Sequence, residues 1–135
     1  MKASINRNIL IFLKKYLLVL FLSTALTFFC SSLILFRIGG TGDELKKLIF
    51  SGFVVAFIFT LSSSTCLVNI YAKGSKNFNY RILSFLLTPT ILGVKLFLSA
   101  VYTPFFYVML IVCSLVFAIQ VLYFIKFLKL SNKQV

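Results

Sequence analysis

Four apolar runs, each about the length needed to cross a bilayer, make up most of the chain: Tyr16–Phe36, Leu48–Ile70, Ile82–Tyr102 and Phe105–Ile125. A hydrocarbon core about 30 Å thick takes about 20 residues of helix, and the four runs together hold a single charge, Lys95. A backbone in lipid must satisfy its own hydrogen bonds, so each run reads as helix. Barrel strands would alternate in polarity over roughly ten residues, and none does. Composition agrees: 61% of residues are hydrophobic and 12% charged, too little polar surface to cover a small soluble fold. A soluble enzyme, a disordered tail and a secreted disulfide scaffold are excluded. The expectation is an all-α polytopic membrane protein, a four-transmembrane-helix bundle forming one integral domain over residues 1–135.

Charge then orients the bundle. The chain has 14 Lys+Arg, two acids and no His, a net +12. On a soluble domain such an excess suggests nucleic acid. Here the basic residues lie between apolar runs, which suits a bilayer with anionic headgroups and no nucleic-acid partner. Lys2, Arg7, Lys14, Lys15, Lys73, Lys76, Arg81, Lys126, Lys129 and Lys133 fall on the side of the termini, ten in all, against Arg37, Lys46 and Lys47 on the other. Both termini are therefore expected in the cytoplasm. Six tyrosines, Tyr16, Tyr71, Tyr80, Tyr102, Tyr107 and Tyr123, fall at or near span ends, where amphipathic rings meet headgroups. Lys outnumbers Arg 11 to 3 among many Phe, Ile and Asn; this hints at an AT-rich bacterial genome and the bacterial cytoplasmic (inner) membrane.

Lys14 and Lys15 interrupt any signal-peptide core starting at Ile9, and no A-x-A site follows the apolar run, so the first helix is expected to stay attached. Residues 5–16 read either as a short interfacial helix, with Ile5, Ile9, Phe12 and Tyr16 on one face, or as an extension of the first span. In the first loop, Gly39-Gly40-Thr41-Gly42 lacks the GK[ST] ending and preceding strand of a phosphate loop. Thr41 as N-cap and Glu44 at N3 make a capping box instead. The third loop is only Tyr102-Thr103-Pro104, which makes the last two spans a tight hairpin and the bundle two antiparallel hairpins.

Little in the chain can carry chemistry. Cys30, Cys66 and Cys113 sit in apolar segments and match no metal or disulfide pattern, so neither a metal nor a cofactor is expected. With no His and only two adjacent acids, proton shuttling lacks its usual groups. A Ser–Lys dyad of Ser99 and Lys95 has no oxyanion donor beside it, and the chain does not read as an enzyme. Small residues spaced by four, Ser23, Thr27 and Ser31 in the first span and Gly52, Ala56, Thr60 and Ser64 in the second, read as helix-packing ribbons that let backbones approach. A polar translocation groove is the alternative.

The third span is the exception. Ser84, Thr88, Lys95, Ser99 and Tyr102 fall within about 60° of one another at 100° per residue, a candidate surface for a substrate or lipid. Pro89 removes a hydrogen bond to Phe85 and is expected to kink the helix, and Gly93 adds a point of close approach. Lys95 lies about 10 Å of helix from Tyr102, so it either snorkels to outer phosphates or to Asp43 and Glu44, or serves a substrate or ion. Gln120 reads as an interhelical hydrogen-bonding residue.

The residues leave two functional classes. One is a non-catalytic membrane protein: an accessory subunit, scaffold or immunity-type protein recognising a membrane-protein partner or its own copies through its helices. The other is a small homodimeric transporter or flippase for an anionic or lipid-linked substrate. With four spans, similar length and a basic second loop, the chain resembles the GtrA-like family in general shape, which implies movement of polyprenyl-linked sugars. That family's Asn-Arg and aromatic second-loop motif does not occur in Ala72-Lys73-Gly74-Ser75-Lys76-Asn77-Phe78.

Overall fold

The computed structural model describes residues 7–36, 42–70 and 77–132. Every element among them is helical: α1 (Arg7–Phe36), α2 (Gly42–Ser63), a 3-10 segment (Ser64–Ile70), α3 (Phe78–Ile82), a π turn (Leu83–Leu87), α4 (Thr88–Ala100) and α5 (Phe106–Asn132). Four stretches, Arg7–Leu35, Gly42–Leu67, Phe78–Ala100 and Phe106–Asn132, are long and apolar enough to cross a membrane. The third combines α3, the π turn and α4.

The helices overrun the apolar runs at the end where α1 begins and α5 finishes. From Arg7 onward the first helix is continuous, which resolves residues 7–16 in favour of an extension, while Ile5 and Asn6 lie outside the described residues. The cause is packing. Ile9, Leu13 and Tyr16 are buried in the bundle while Lys14 and Lys15 face outward, so the charges are accommodated without breaking the helix. Tyr16, expected as an interfacial ring, is fully buried, about 14 Å of helix beyond Arg7, so its ring packs inside the bundle rather than facing outward. At the other extreme, α5 runs on to Asn132 because Phe124, Phe127 and Ser131 remain on its buried face.

α1 is the hub. Its buried row (Tyr16, Leu20, Thr24, Phe28, then Ser31 and Ser32) advances by three or four residues, as one face of a helix must. Phe12 and Tyr16 meet Tyr123 of α5 with ring centroids 5.6 and 5.1 Å apart, while further along Phe28 stacks on Phe105 at 6.3 Å. Toward α2, the Phe28 ring lies over Gly52, where an added Cβ would come within 3.2 Å of it and 3.6 Å of the Ala25 carbonyl. This refines the expected ribbons. Gly52 and Ala56 are buried, and Thr60 and Ser64 half-buried. On α1, Ser31 is buried but Ser23 and Thr27 are only half so. The core-facing row sits one position on, because α1 fits a large ring into the notch of α2 rather than small against small.

Hydroxyl groups decide how α2 ends. Thr24, Thr60 and Ser114 donate to the carbonyls of Leu20, Ala56 and Leu110, four residues back, at 2.7, 2.7 and 2.8 Å, so small polar residues inside a span cost little. In the Ser62–Ser64 run the bonds shorten to three residues: Ser62 to Phe59 and Ser64 to Leu61. The helix tightens there into its 3-10 segment.

Between α4 and α5 the backbone N–H of Thr103 donates to the Ala100 carbonyl at 2.9 Å, and that of Phe106 to the Thr103 carbonyl at 3.2 Å. These bonds fold the chain tightly around Pro104. Asp43 and Glu44 occupy the first turn of α2, where acids favour the positive helix end. The expected Thr41 cap lies outside the described residues.

Candidate functional site

The third span carries the residues singled out from the sequence, and Pro89 explains their arrangement. In a π turn each N–H bonds a carbonyl five residues back. For the Ser84 carbonyl the matching donor is residue 89, a proline without an N–H. The Thr65 hydroxyl of the 3-10 segment supplies the missing bond, donating to the Ser84 carbonyl at 2.7 Å. The expected disturbance at Pro89 is therefore a π turn just before it, and the carbonyl handed to a neighbour is that of Ser84 rather than Phe85. Pro89 itself is fully buried.

The extra residue of the π turn rotates α3 relative to α4. Ser84 is buried, whereas Thr88, Lys95 and Ser99 of α4 are exposed. The stripe drawn at a constant 100° per residue is thus split. Tyr102 lies past the end of α4 and is 97% exposed. The Ser99 hydroxyl donates to the Leu96 carbonyl of its own helix at 2.7 Å. Ile91, Val94 and Leu98, which flank Lys95, are exposed as well. Lys95 thus stands on an outward face that mixes polar and apolar side chains.

Large side chains fill most of the interior among the described residues. Its largest fully buried side chains include Leu13, Tyr16, Leu20, Phe59, Phe85 and Phe127. A cavity of about 160 Å³ lies among Phe59, Pro89, Gly93, Cys113, Val116 and Gln120. Cys113 turns its thiol toward the Gly93 carbonyl at 3.7 Å. Gln120 is 1% exposed and its Nε2 has no partner, so the expected interhelical bond from that nitrogen is not made.

Two polar residues that sequence reasoning passed over lie at the end formed by the start of α1, the π turn and the end of α5. The Tyr16 hydroxyl approaches that of Ser63 without closing a hydrogen bond. Arg81 is 7% exposed, its Nε is unpartnered, and its guanidinium carbon stands 5.8 Å from the centre of the Phe127 ring. Around it Phe85 meets Tyr16, Phe124 and Phe127 at 5.6, 5.7 and 5.0 Å between centroids. Counted as a loop charge, Arg81 only helps to set orientation. The signal that reveals more is helical spacing, because Phe78, Arg81 and Phe85 repeat at three and four residues along one face. No family model, curated protein sequence or solved structure matches the chain, so its function is argued from the geometry of its own side chains.

Proposed function

We propose that this is a non-catalytic, multi-pass protein of the bacterial cytoplasmic membrane that recognises another membrane protein within the bilayer through the outer face of α4. Its fold on this reading is two antiparallel hairpins with both termini in the cytoplasm, as the ten-to-three distribution of Lys and Arg favours. The supporting observation is the outward position of Thr88, Lys95 and Ser99 among Ile91, Val94 and Leu98. Polar groups on an outer helix face can bond a partner helix. A transporter of GtrA-like shape needs a continuous inner path of polar groups, and among the described residues buried hydrophobic side chains outnumber buried polar ones by 17 to eight.

A photo-crosslinking residue at Val94 or Leu98 tests the reading, with Leu18 and Leu122, also exposed, as controls. Adducts with a different membrane protein from α4 alone are expected, whereas lipid adducts only, from all four positions, would overturn it. Self-adducts would replace the foreign partner with a homo-oligomer. Topology is checked separately by impermeant thiol labelling at Ser75 and Thr41. Labelling of Ser75 but not Thr41 from outside reverses it.

A further inference from the structure

Arg81 is a charge that the chain's own side chains cannot neutralise. A guanidinium keeps its proton in proteins, and this one is 7% exposed with Nε unpartnered. Removing such a charge from water is costly unless an anion and hydrogen bonds compensate it. The face of the Phe127 ring, 5.8 Å away, offsets part of that cost. An anion at its outer nitrogens would supply the remainder. The chain has two acidic side chains, Asp43 and Glu44, both in the first turn of α2. Asp43 is separated from Thr65 by roughly 33 Å of helix at 1.5 Å per residue, and it is Thr65 that bonds Ser84 beside Arg81. Neither acid reaches the guanidinium.

What lies near that end is more positive charge. Lys126 sits over the Tyr123 ring at 5.2 Å, and Lys129 occupies the last turn of α5. Ser131, 4% exposed, comes one turn after Phe127 on the same face. Together these residues make an anion-attracting field around a planar fork suited to two phosphate oxygens. At the end of a membrane span the abundant anions are lipid phosphates.

We propose that Arg81 is the centre of a binding site for a phosphate-bearing lipid headgroup. The guanidinium grips the phosphate through its fork, and Phe127 supports the guanidinium. The inference requires only that the chain resides in a bilayer and is independent of what docks against α4.

The test is native mass spectrometry and thermal unfolding of the full chain in non-ionic detergent. The probes are phosphatidylglycerol, phosphate-free diacylglycerol and inorganic phosphate. The wild type should retain one phosphatidylglycerol and unfold at a higher temperature with it, with no response to diacylglycerol. Arg81→Met should bind phosphatidylglycerol roughly ten- to a hundredfold more weakly, the loss of a charge-assisted bond, while Lys46→Met, an exposed lysine near the start of α2, binds nearly as the wild type does. Stripped of lipid, Arg81→Met should outlast the wild type, because it no longer buries a lone charge; added phosphatidylglycerol should reverse that order. Stabilisation by inorganic phosphate alone would keep phosphate as the ligand and remove the lipid tail from the description. A wild type that neither retains nor responds to phosphatidylglycerol or phosphate overturns the proposal, as does equal lipid binding by Arg81→Met. Should Arg81→Met not fold, Arg81→Lys serves: it keeps the charge without the fork, and unchanged affinity in that variant also overturns the proposal.

Discussion

The third span holds two cations, one on each side of Pro89, and they meet opposite surroundings. Arg81 is buried against the Phe127 ring, whereas Lys95 is exposed between Val94 and Leu98. Both side chains are long, basic and helical, so charge alone does not set their fates. The π turn between them does, because its extra residue changes which face of the span looks inward. One end of the molecule is consequently an aromatic core around a buried charge. The other is a loosely covered helix whose polar groups face out.

The largest effect that separates the two ends is expected from cavity formation. Phe85→Ala removes a fully buried ring that touches Tyr16, Phe124 and Phe127. It should cost about 3 kcal/mol, the low end for such changes, since transfer from water contributes little inside a bilayer. Leu98→Ala, on the exposed face of α4, should stay within about 0.5 kcal/mol. Denaturant titration of both variants in detergent measures the gap. Similar losses at the two sites would mean that the outer face of α4 is packed as tightly as the aromatic end.

A middle-sized effect concerns the notch of α2. Ala56→Leu places bulk at a fully buried position and should cost about 1–3 kcal/mol, whereas Val55→Leu, half-buried on a neighbouring face, should cost less. Equal effects would remove the close approach of α1 and α2 from the account.

The bond from Thr65 to the Ser84 carbonyl sharpens the comparison at the π turn itself. Thr65→Val should cost about 1 kcal/mol. In a Pro89→Ala background the same change should cost clearly less, because residue 89 regains its N–H and the helix can satisfy its own carbonyl. A double-mutant cycle reads this coupling directly. A coupling of zero would detach Thr65 from the proline.

Much of the fold was legible because its cause is local. Apolar runs about 20 residues long demand helices, and Pro104 with its neighbours demands a turn. What stayed hidden depended on register and depth. Tyr16 and Arg81 carry polar tips that usually mark an interface, and nothing in their immediate sequence shows that α1 and α5 extend far enough to enclose them. Nor did a fixed 100° step anticipate the π turn, which requires knowing that Thr65, distant in sequence, is there to satisfy Ser84. Lys95, by contrast, was visible at once as the only charge inside the four apolar runs. Its outward direction was not, since that depends on the same π turn.

The smallest change in stability, and the most informative for function, is expected at Lys95. A charge at the centre of a lone helix costs about 2.5–3.5 kcal/mol on insertion scales, and less near the surface. The long stem of Lys95, exposed on the outer face of α4, lets its ammonium leave the hydrocarbon. Lys95→Met keeps the stem and drops the charge, so insertion should be normal and stability should stay within about 0.5 kcal/mol of wild type. If α4 recognises a partner through this face, the adduct formed from Leu98 should fall sharply in Lys95→Met while the protein stays folded. Lys95→Arg should recover part of it, because the charge returns with a different shape. An adduct unchanged in Lys95→Met reduces the lysine to snorkelling and leaves Thr88 and Ser99 as the polar contacts of that face. A sharp loss of stability instead would show that Lys95 is held by the bundle, erasing its contrast with Arg81.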